Sequence, residues 1–462
     1  MAMQQTISPV DGRVYVERPL GSVLDIEQTL ATAVKAQRDW QQLGVTERCA
    51  LLRRAVDAFV ADRDAIAAEL TWQMGRPISQ TPGEVRGFEE RSRYMLAIAP
   101  ETLAPIEPPR KAGFERWLER APLGVVAVVA PWNYPYLTAV NAVIPALAAG
   151  NVVVLKHSHQ TPLCAERFAA AFAAAGLPAG VFQFLHLSHD DTSRLIADPR
   201  VNFVCFTGSV SGGHAVQRAL SSGFADAGLE LGGKDPAYVR ADADLALAID
   251  VVTDGAFFNS GQSCCGIERV YVHEAVYDTF VAGVASQVAK YRLGTPTDPA
   301  TTLGPMVRTS AAEFVRGQVA EAVRSGARAL LDASVFPADQ PGTPYLAPQV
   351  LVDVDHSMRV MTEETFGPAV GIMRVRSDDE ALRLMNDSEY GLTAALFTRD
   401  IEIARHLGAQ LETGTVFLNR CDYLDPALAW TGVKNSGRGC TLSRVGYEHL
   451  TRPKSYHFRL PA

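Results

Sequence analysis

Cysteine is sparse, seven in 462 residues, an odd count without metal-ligand spacing, which excludes a disulfide scaffold or a zinc module. Reduced thiols in a cytoplasm are expected. No cationic run is long enough to follow a phosphate backbone, and 43 Lys and Arg against 51 Asp and Glu leave a net charge of −8, so nucleic acid is not an expected partner. The longest apolar stretches, 124–130 and 139–155, are interrupted by Pro131, Asn141, Pro145, Gly150 and Asn151, which leaves no segment expected to span a bilayer. The opening MAMQQTISPVDGR lacks the cationic start and apolar run of an export signal.

The composition that remains is 47% hydrophobic and 20% charged, in a chain too long for a single core, so two or three domains are expected. Apolar residues recur at helical spacing from 26 to 72, as Leu30, Ala33, Ala36 and Trp40, then Leu51, Leu52, Val56, Phe59 and Val60. After Gly124 the pattern changes to short Val-rich runs, GVVAVVAP, NVVVLK, VFQFLH and VNFVCFTGS, separated by helical stretches such as 162–175. Buried strands alternating with helices predict a parallel α/β sheet. A second α/β region is expected from 235 to 428, with strands near 267–273, 368–375 and 414–418.

Four segments carry residue types that do chemistry. After the strand at 201–206, Thr207-Gly208-Ser209-Val210-Ser211-Gly212-Gly213 opens a helix; free N–H groups there attract phosphate and glycine admits close approach, although such a turn also serves plain packing and GxGxxG is absent. Gln262-Ser263-Cys264-Cys265 places adjacent thiols in a glycine-flanked stretch, a nucleophile with its neighbour or two small core residues. Asn133 follows the strand at 125–129, where a loop leaves the C-terminal edge of the sheet, as a turn residue or as an amide aimed at an oxyanion. Glu230 opens Glu-Leu-Gly-Gly-Lys, as a general base or a solvated charge.

Read jointly, PWNYP, FTGS, ELGGK, GQSCCG, EETFGP at 363–368, NDSEYGLTA at 386–394 and GVKNSGRG at 432–439 give an order and spacing that resembles the aldehyde dehydrogenase superfamily from end to end. The resemblance implies an α/β fold with a Rossmann-like cofactor domain (1–102 and 123–231), a catalytic α/β domain (232–445) and a small β oligomerisation element (103–122 and 446–462), assembled as a homodimer or tetramer. It implies oxidation of an aldehyde to its carboxylic acid with NAD, and with NADP as a second cofactor; no metal is called for. Cys264 would attack the carbonyl, Asn133 and the Cys264 N–H would hold the oxyanion while hydride passes to the nicotinamide, and Glu230 would activate water to hydrolyse the thioester. Lys156 and position 159 would meet the adenine-side ribose, Gly208 and Ser209 the pyrophosphate, Glu364 the nicotinamide ribose and Phe366 the nicotinamide. Trp132 and Leu231 would line the same site.

The chain departs from the family pattern in places. His157-Ser158-His159 stands where Pro-Ser-Glu or Pro-Ala-Glu is common, removing a carboxylate that favours NAD and repels NADP. Both cofactors are therefore expected, NAD preferred, with NADP use rising as His159 protonates below about pH 6.5. Asn141-Ala142 replaces a Trp-Lys pair, taking away a proton-relay lysine, and His186-Leu187 replaces a Pro-Gly. The unusual segment 419–424 should line the aldehyde tunnel, whose expected wall is Tyr134, Asp422, Leu424 and Trp430. Aromatic side chains there favour a neutral medium-chain or aromatic aldehyde. Arg86 and Arg420, expected near the entrance and able to pair with Asp422 or hold a carboxylate, make succinate semialdehyde the alternative. Release of the thioester to coenzyme A is disfavoured by Glu230, and a silent binding relative by the presence of Asn133, Glu230 and Cys264 together.

Overall fold

The computed structural model describes residues 2–461. Every residue of the strands Val125–Ala130 and Val152–His157 is buried, as a sheet covered by helices on both faces requires. These strands lie in a six-stranded sheet, in the order Gly437–Arg438, Asp226–Glu230, Val201–Thr207, Val125–Ala130, Val152–His157, Phe182–Phe184. The pairings are parallel except that of Gly437–Arg438 with Asp226–Glu230. From Val125–Ala130 the chain moves outward through the next two strands, then returns to the other side with Val201–Thr207. The order reverses there, and a crevice opens beyond the C-terminal ends of Val125–Ala130 and Val201–Thr207, the place where such sheets bind ligands.

The helical periodicity from 26 to 72 corresponds to helices Val23–Trp40, Val45–Ala61 and Arg63–Met74, followed by Pro82–Thr102. Ahead of them, Met3–Ile7 and Val14–Pro19 form an antiparallel hairpin that periodicity does not announce. Its specification is tertiary: Thr6 Oγ1 donates to the His159 carbonyl at 2.8 Å, Ser8 Oγ to that of Trp72 at 2.6 Å, and Tyr15 stacks on Trp72.

The chain crosses to a second sheet at 231–234. That sheet has seven strands, in the order Arg328–Ala329, Gln349–Val352, Ala369–Val375, Ile267–His273, Asp235–Val239, Thr393–Phe397, Thr415–Leu418. Three of them are the strands expected near 267, 368 and 414. A separate ribbon pairs Phe114–Pro122 with Thr451–Arg459 antiparallel along their whole length, and Trp117 stacks on Tyr456 with ring centroids 4.2 Å apart. Among the described residues, no helix is long and apolar enough to cross a membrane.

Candidate active site

A cavity of about 380 Å³, the funnel, is lined by residues at strand ends and in the connections of both sheets, among them Tyr134, Thr207, Glu230, Cys264, Asp422 and Trp430. Cys264 reaches it from an irregular turn. Asn259, Ser260 and Gly261 take φ of 53°, 57° and 69° in succession, a left-handed run that costs energy and persists only where neighbours hold it. The holding groups are visible. Gln262 Nε2 donates to the Asn259 carbonyl at 3.1 Å, Val307 N–H donates to Gln262 Oε1 at 2.8 Å, and Ser260 Oγ donates to the Gly304 carbonyl at 2.8 Å. A side chain at Gly261 would meet the Gly367 carbonyl at 2.2 Å, so only glycine fits.

Asn133 is buried, and its Nδ2 donates to the Gln262 carbonyl at 3.3 Å, two residues before Cys264. This ties the candidate oxyanion amide to the thiol-bearing loop. Its own carbonyl accepts from Arg76 and, at 3.2 Å, from Asn259 Nδ2. Arg76 also donates to Asn259 Oδ1 and forms a buried ion pair with Glu84. The second Glu84 oxygen accepts from the N–H groups of Tyr136 and Leu137, at the start of helix Pro135–Ala148, where a carboxylate meets unpaired donors and the positive end of the helix dipole. No local motif in the sequence marks Arg76 or Glu84. Their only signal was charge inside stretches that pack as helix and loop.

Glu230 closes strand Asp226–Glu230, and its carboxylate accepts from Thr441 Oγ1 at 2.5 Å and Thr207 Oγ1 at 3.0 Å. Burial pushes its pKa up; the two hydroxyls and the nearby Arg91 oppose this in part. A carboxyl held above the ordinary carboxylate range suits a general base.

The expected tunnel wall is assembled: Tyr134, Asp422, Leu424 and Trp430 line the cavity. Asp422 accepts from Cys265 Sγ at 2.9 Å and, more weakly, from Ser263 Oγ, and burial pushes its carboxyl up to about 6. Hydrogen bonding with Cys264, together with burial, holds the Cys265 thiol well above the ordinary range, so Cys265 remains protonated while Cys264 is the half-buried thiol on the cavity. Arg420, which with Arg86 was expected near the entrance to pair with Asp422 or to hold a carboxylate, makes no ion pair with Asp422 among the described residues. Its guanidinium lies over the Tyr423 ring, 3.8 Å from the centroid. Arg86 does line the cavity and is exposed.

The crevice beside the first sheet suits a dinucleotide. Ser209 Oγ caps helix Val210–Leu220 by accepting from the Gly212 N–H at 3.2 Å. Gly208 N–H is taken by the Glu230 carbonyl at 3.0 Å, so Gly208 contributes space and the helix start contributes donors. Lys156 is buried without an ion pair among the described residues, which brings it down to about 8. A Cβ at Gly232 would lie 2.3 Å from Glu364 Oε1, and one at Gly233 would lie 2.4 Å from the Cys264 carbonyl; the double glycine lets both approach. Leu231 packs under Gly213. The loop carrying Glu364 and Phe366 is fixed by Glu268, which accepts from the N–H groups of Thr365 and Phe366 at 2.8 Å and pairs with buried Lys234 at 2.6 Å. Trp132 meets the Phe366 ring edge-on at 5.7 Å. His159 is exposed, two residues beyond strand Val152–His157. Partial burial, with Lys156, Arg308 and His189 nearby, holds its pKa below the ordinary 6.5, so the pH window expected from sequence moves to the acid side.

A model of the aldehyde dehydrogenase family matches residues 2–456. The chain is 35% identical over 449 residues to the succinate-semialdehyde dehydrogenase [NADP(+)] of Deinococcus radiodurans, covering 97% of this chain and 93% of that protein. It is 34% identical over 441 residues to the succinate semialdehyde dehydrogenase [NAD(P)+] Sad of Escherichia coli K12, covering 96% and 95%. The solved structure of succinic semialdehyde dehydrogenase from Streptococcus pyogenes, in complex with NADP+ as the cofactor, superposes with a TM-score of 0.94 at 29% identity, covering 99% of this chain and 100% of that one.

Proposed function

The chain belongs to the aldehyde dehydrogenase family, and we propose that it oxidises a small aldehyde carrying a carboxylate to the corresponding acid, with NAD or NADP, through a thioester on Cys264. One observation carries the reading: Cys264 and Glu230 share a single funnel, and the Asn133 amide binds the loop that presents Cys264. Cys264 Sγ bonds to the aldehyde carbon, and Asn133 Nδ2 with the Cys264 N–H stabilises the oxyanion. Lys156, His159, the capped helix start at Ser209, and Glu364 would hold the cofactor, which supplies the hydride acceptor. Once the carbon is oxidised the acyl group remains on Cys264. Glu230 then takes a proton from water as its oxygen bonds to the acyl carbon, and the C–S bond breaks with its electron pair on sulfur.

The substrate class rests on the free cation. Arg76 is bound to Glu84, and Arg91 donates to the Leu137 carbonyl and Asn141 Oδ1, whereas Arg86 has no ion pair among the described residues. The Tyr134 hydroxyl, also on this cavity, finds no partner among them. A carboxylate arriving there gains a cation and a donor, which favours a semialdehyde over the neutral aldehyde suggested by the aromatic wall alone. Steady-state kinetics test this: Arg86→Ala should raise KM for succinate semialdehyde about tenfold, and more than for hexanal. A wild type with higher kcat/KM for benzaldehyde or hexanal than for succinate semialdehyde overturns the reading.

The same proposal assigns the unit at 1–102 and 123–231 to the cofactor, that at 232–445 to catalysis, and the ribbon at 103–122 and 446–462 to assembly as a dimer or tetramer. A two-stranded ribbon is marginal alone, and Phe458 and Leu460 on it are exposed. Seven free thiols favour a reducing cytoplasm.

A further inference from the structure

Cys264 is flanked by Ser263 and Cys265, and the side chains of both neighbours converge on one oxygen of Asp422. Cys265 Sγ donates to Asp422 Oδ1 at 2.9 Å, and Ser263 Oγ reaches the same oxygen at 3.5 Å, the distance at which it also meets Cys265 Sγ. The three side chains close a triangle beside the thiol between them. Asp422 is itself fixed from two directions. Asn419, directly after strand Thr415–Leu418, accepts from the Thr398 N–H at 3.1 Å and donates to the Thr398 carbonyl at 2.9 Å. Cys421 Sγ donates at 3.3 Å to the Val251 carbonyl of helix Leu245–Phe257, which runs straight into the turn that presents Cys264. Asn419 and Asp422 take φ of 52° and 48°, left-handed backbone that only surrounding contacts can hold.

Resting on the reading of Cys264 as nucleophile, we propose that Asp422 is a positioning residue: by gripping Ser263 and Cys265 together it fixes segment 263–265 with the Cys264 thiol toward the substrate. The one S–H of Cys265 is spent on Asp422, so the second sulfur is held away from the substrate. Both contacts need an acceptor at 422, and an ionised carboxylate is the stronger one. Burial, helped by Asp254 on helix Leu245–Phe257, pushes the Asp422 carboxyl up to about 6, against the opposing pull of Cys265, Ser263 and Arg91 on helix Pro82–Thr102. The other titratable groups facing it, the Tyr134 phenol and the Cys421 thiol, are pushed up by burial and stay neutral. As pH falls through about 6, Asp422 takes up a proton, its grip on the two donors weakens, and delivery of the thiol slows.

The test is the rate of the pre-steady-state burst of reduced cofactor, which precedes deacylation, followed across pH with succinate semialdehyde and with hexanal. Asp422→Ala should slow the burst on the order of tenfold for both aldehydes, since a displaced thiol attacks either one poorly. Asp422→Asn keeps the shape and an acceptor oxygen; it should stay within about threefold of wild type at neutral pH and lose the acid limb that wild type shows near pH 6. Ser263→Ala combined with Cys265→Ala should slow the burst about as much as Asp422→Ala, and adding Asp422→Ala to that pair should cost nothing further, because the effects run through one set of contacts. Cys265→Ala alone, with Ser263 still on Asp422, should turn over with a smaller loss. A loss confined to one aldehyde would make Asp422 a substrate contact, losses that multiply in the triple variant would route its effect elsewhere, and an acid limb unchanged in Asp422→Asn would take the carboxylate out of the step. Each of these overturns the proposal, as does a wild-type burst in Asp422→Ala. If Cys264→Ala retains a burst, the reading of the nucleophile fails first.

Discussion

The Arg76 guanidinium and the Glu84 carboxylate meet 2.6 Å apart with almost no exposure to solvent. Between them they fix the Asn133 backbone, Asn259 and the start of helix Pro135–Ala148. An ion pair so deeply buried contributes little net stability over an apolar pair, but losing one partner strands a charge. Glu84→Gln and Arg76→Met are therefore expected to destabilise the fold by roughly 3–5 kcal/mol and to slow the burst phase, since the loop presenting Cys264 loses its brace. Denaturant unfolding and stopped-flow absorbance measure the two effects; a full burst rate in a folded Arg76→Met enzyme would separate the brace from catalysis.

Cys264→Ala should abolish turnover while cofactor binding, followed by fluorescence, persists, because no other thiol on the funnel is free to attack. Cys265→Ala should remain active, since Cys265 is buried with its thiol committed to Asp422. Exchanged phenotypes would shift the nucleophile by one residue.

Glu230→Gln should retain one burst of reduced cofactor and then slow by about 10²–10⁴-fold, the range a general base supplies. Because burial raises the Glu230 pKa, the carboxylate needed as base is lost as pH falls through that raised value. The wild-type deacylation rate should decline on the acid side at a higher pH than for an exposed glutamate. Single-turnover decay of the acyl-enzyme across pH measures this, and a profile flat from pH 5 to pH 8 (on the order of the range spanning an ordinary carboxyl and histidine) would count against Glu230.

Relative use of NADP should be flat near neutrality and rise only below about pH 6.5, the ordinary histidine value. His159 carries a lowered pKa, so its charged form appears at more acidic pH, and a cation is what a ribose phosphate selects. His159→Glu should cut kcat/KM for NADP about tenfold or more relative to NAD. An unchanged ratio would place His159 away from the ribose.

The local parts of this protein were legible because their causes are local. An unbroken Val run such as 152–154 has no way to satisfy its apolar faces except inside a covered sheet, and Ile267–His273 appeared where its β-branched and aromatic residues placed it. The residues proposed for chemistry stood in short motifs whose glycines have steric reasons: Gly232 and Gly233 make way for Glu364 and the Cys264 backbone. The N-terminal hairpin was not legible, since its hydrogen bonds run to His159 and Trp72.

The sequence alone determined the family, several strands of both sheets, and Cys264, Glu230 and Asn133 as candidates, because each motif rests on neighbours within a few residues. Only the tertiary structure decided how they are held. Arg76 reaches Asn259 across 183 residues, Glu268 fixes a loop almost a hundred residues away, and Thr441 meets Glu230 across 211. Arg420 lies over the Tyr423 ring. A buried charge or hydroxyl takes whatever partner the packed sheets bring within about 3 Å, and that pairing is a property of the fold, which no stretch of neighbouring residues records.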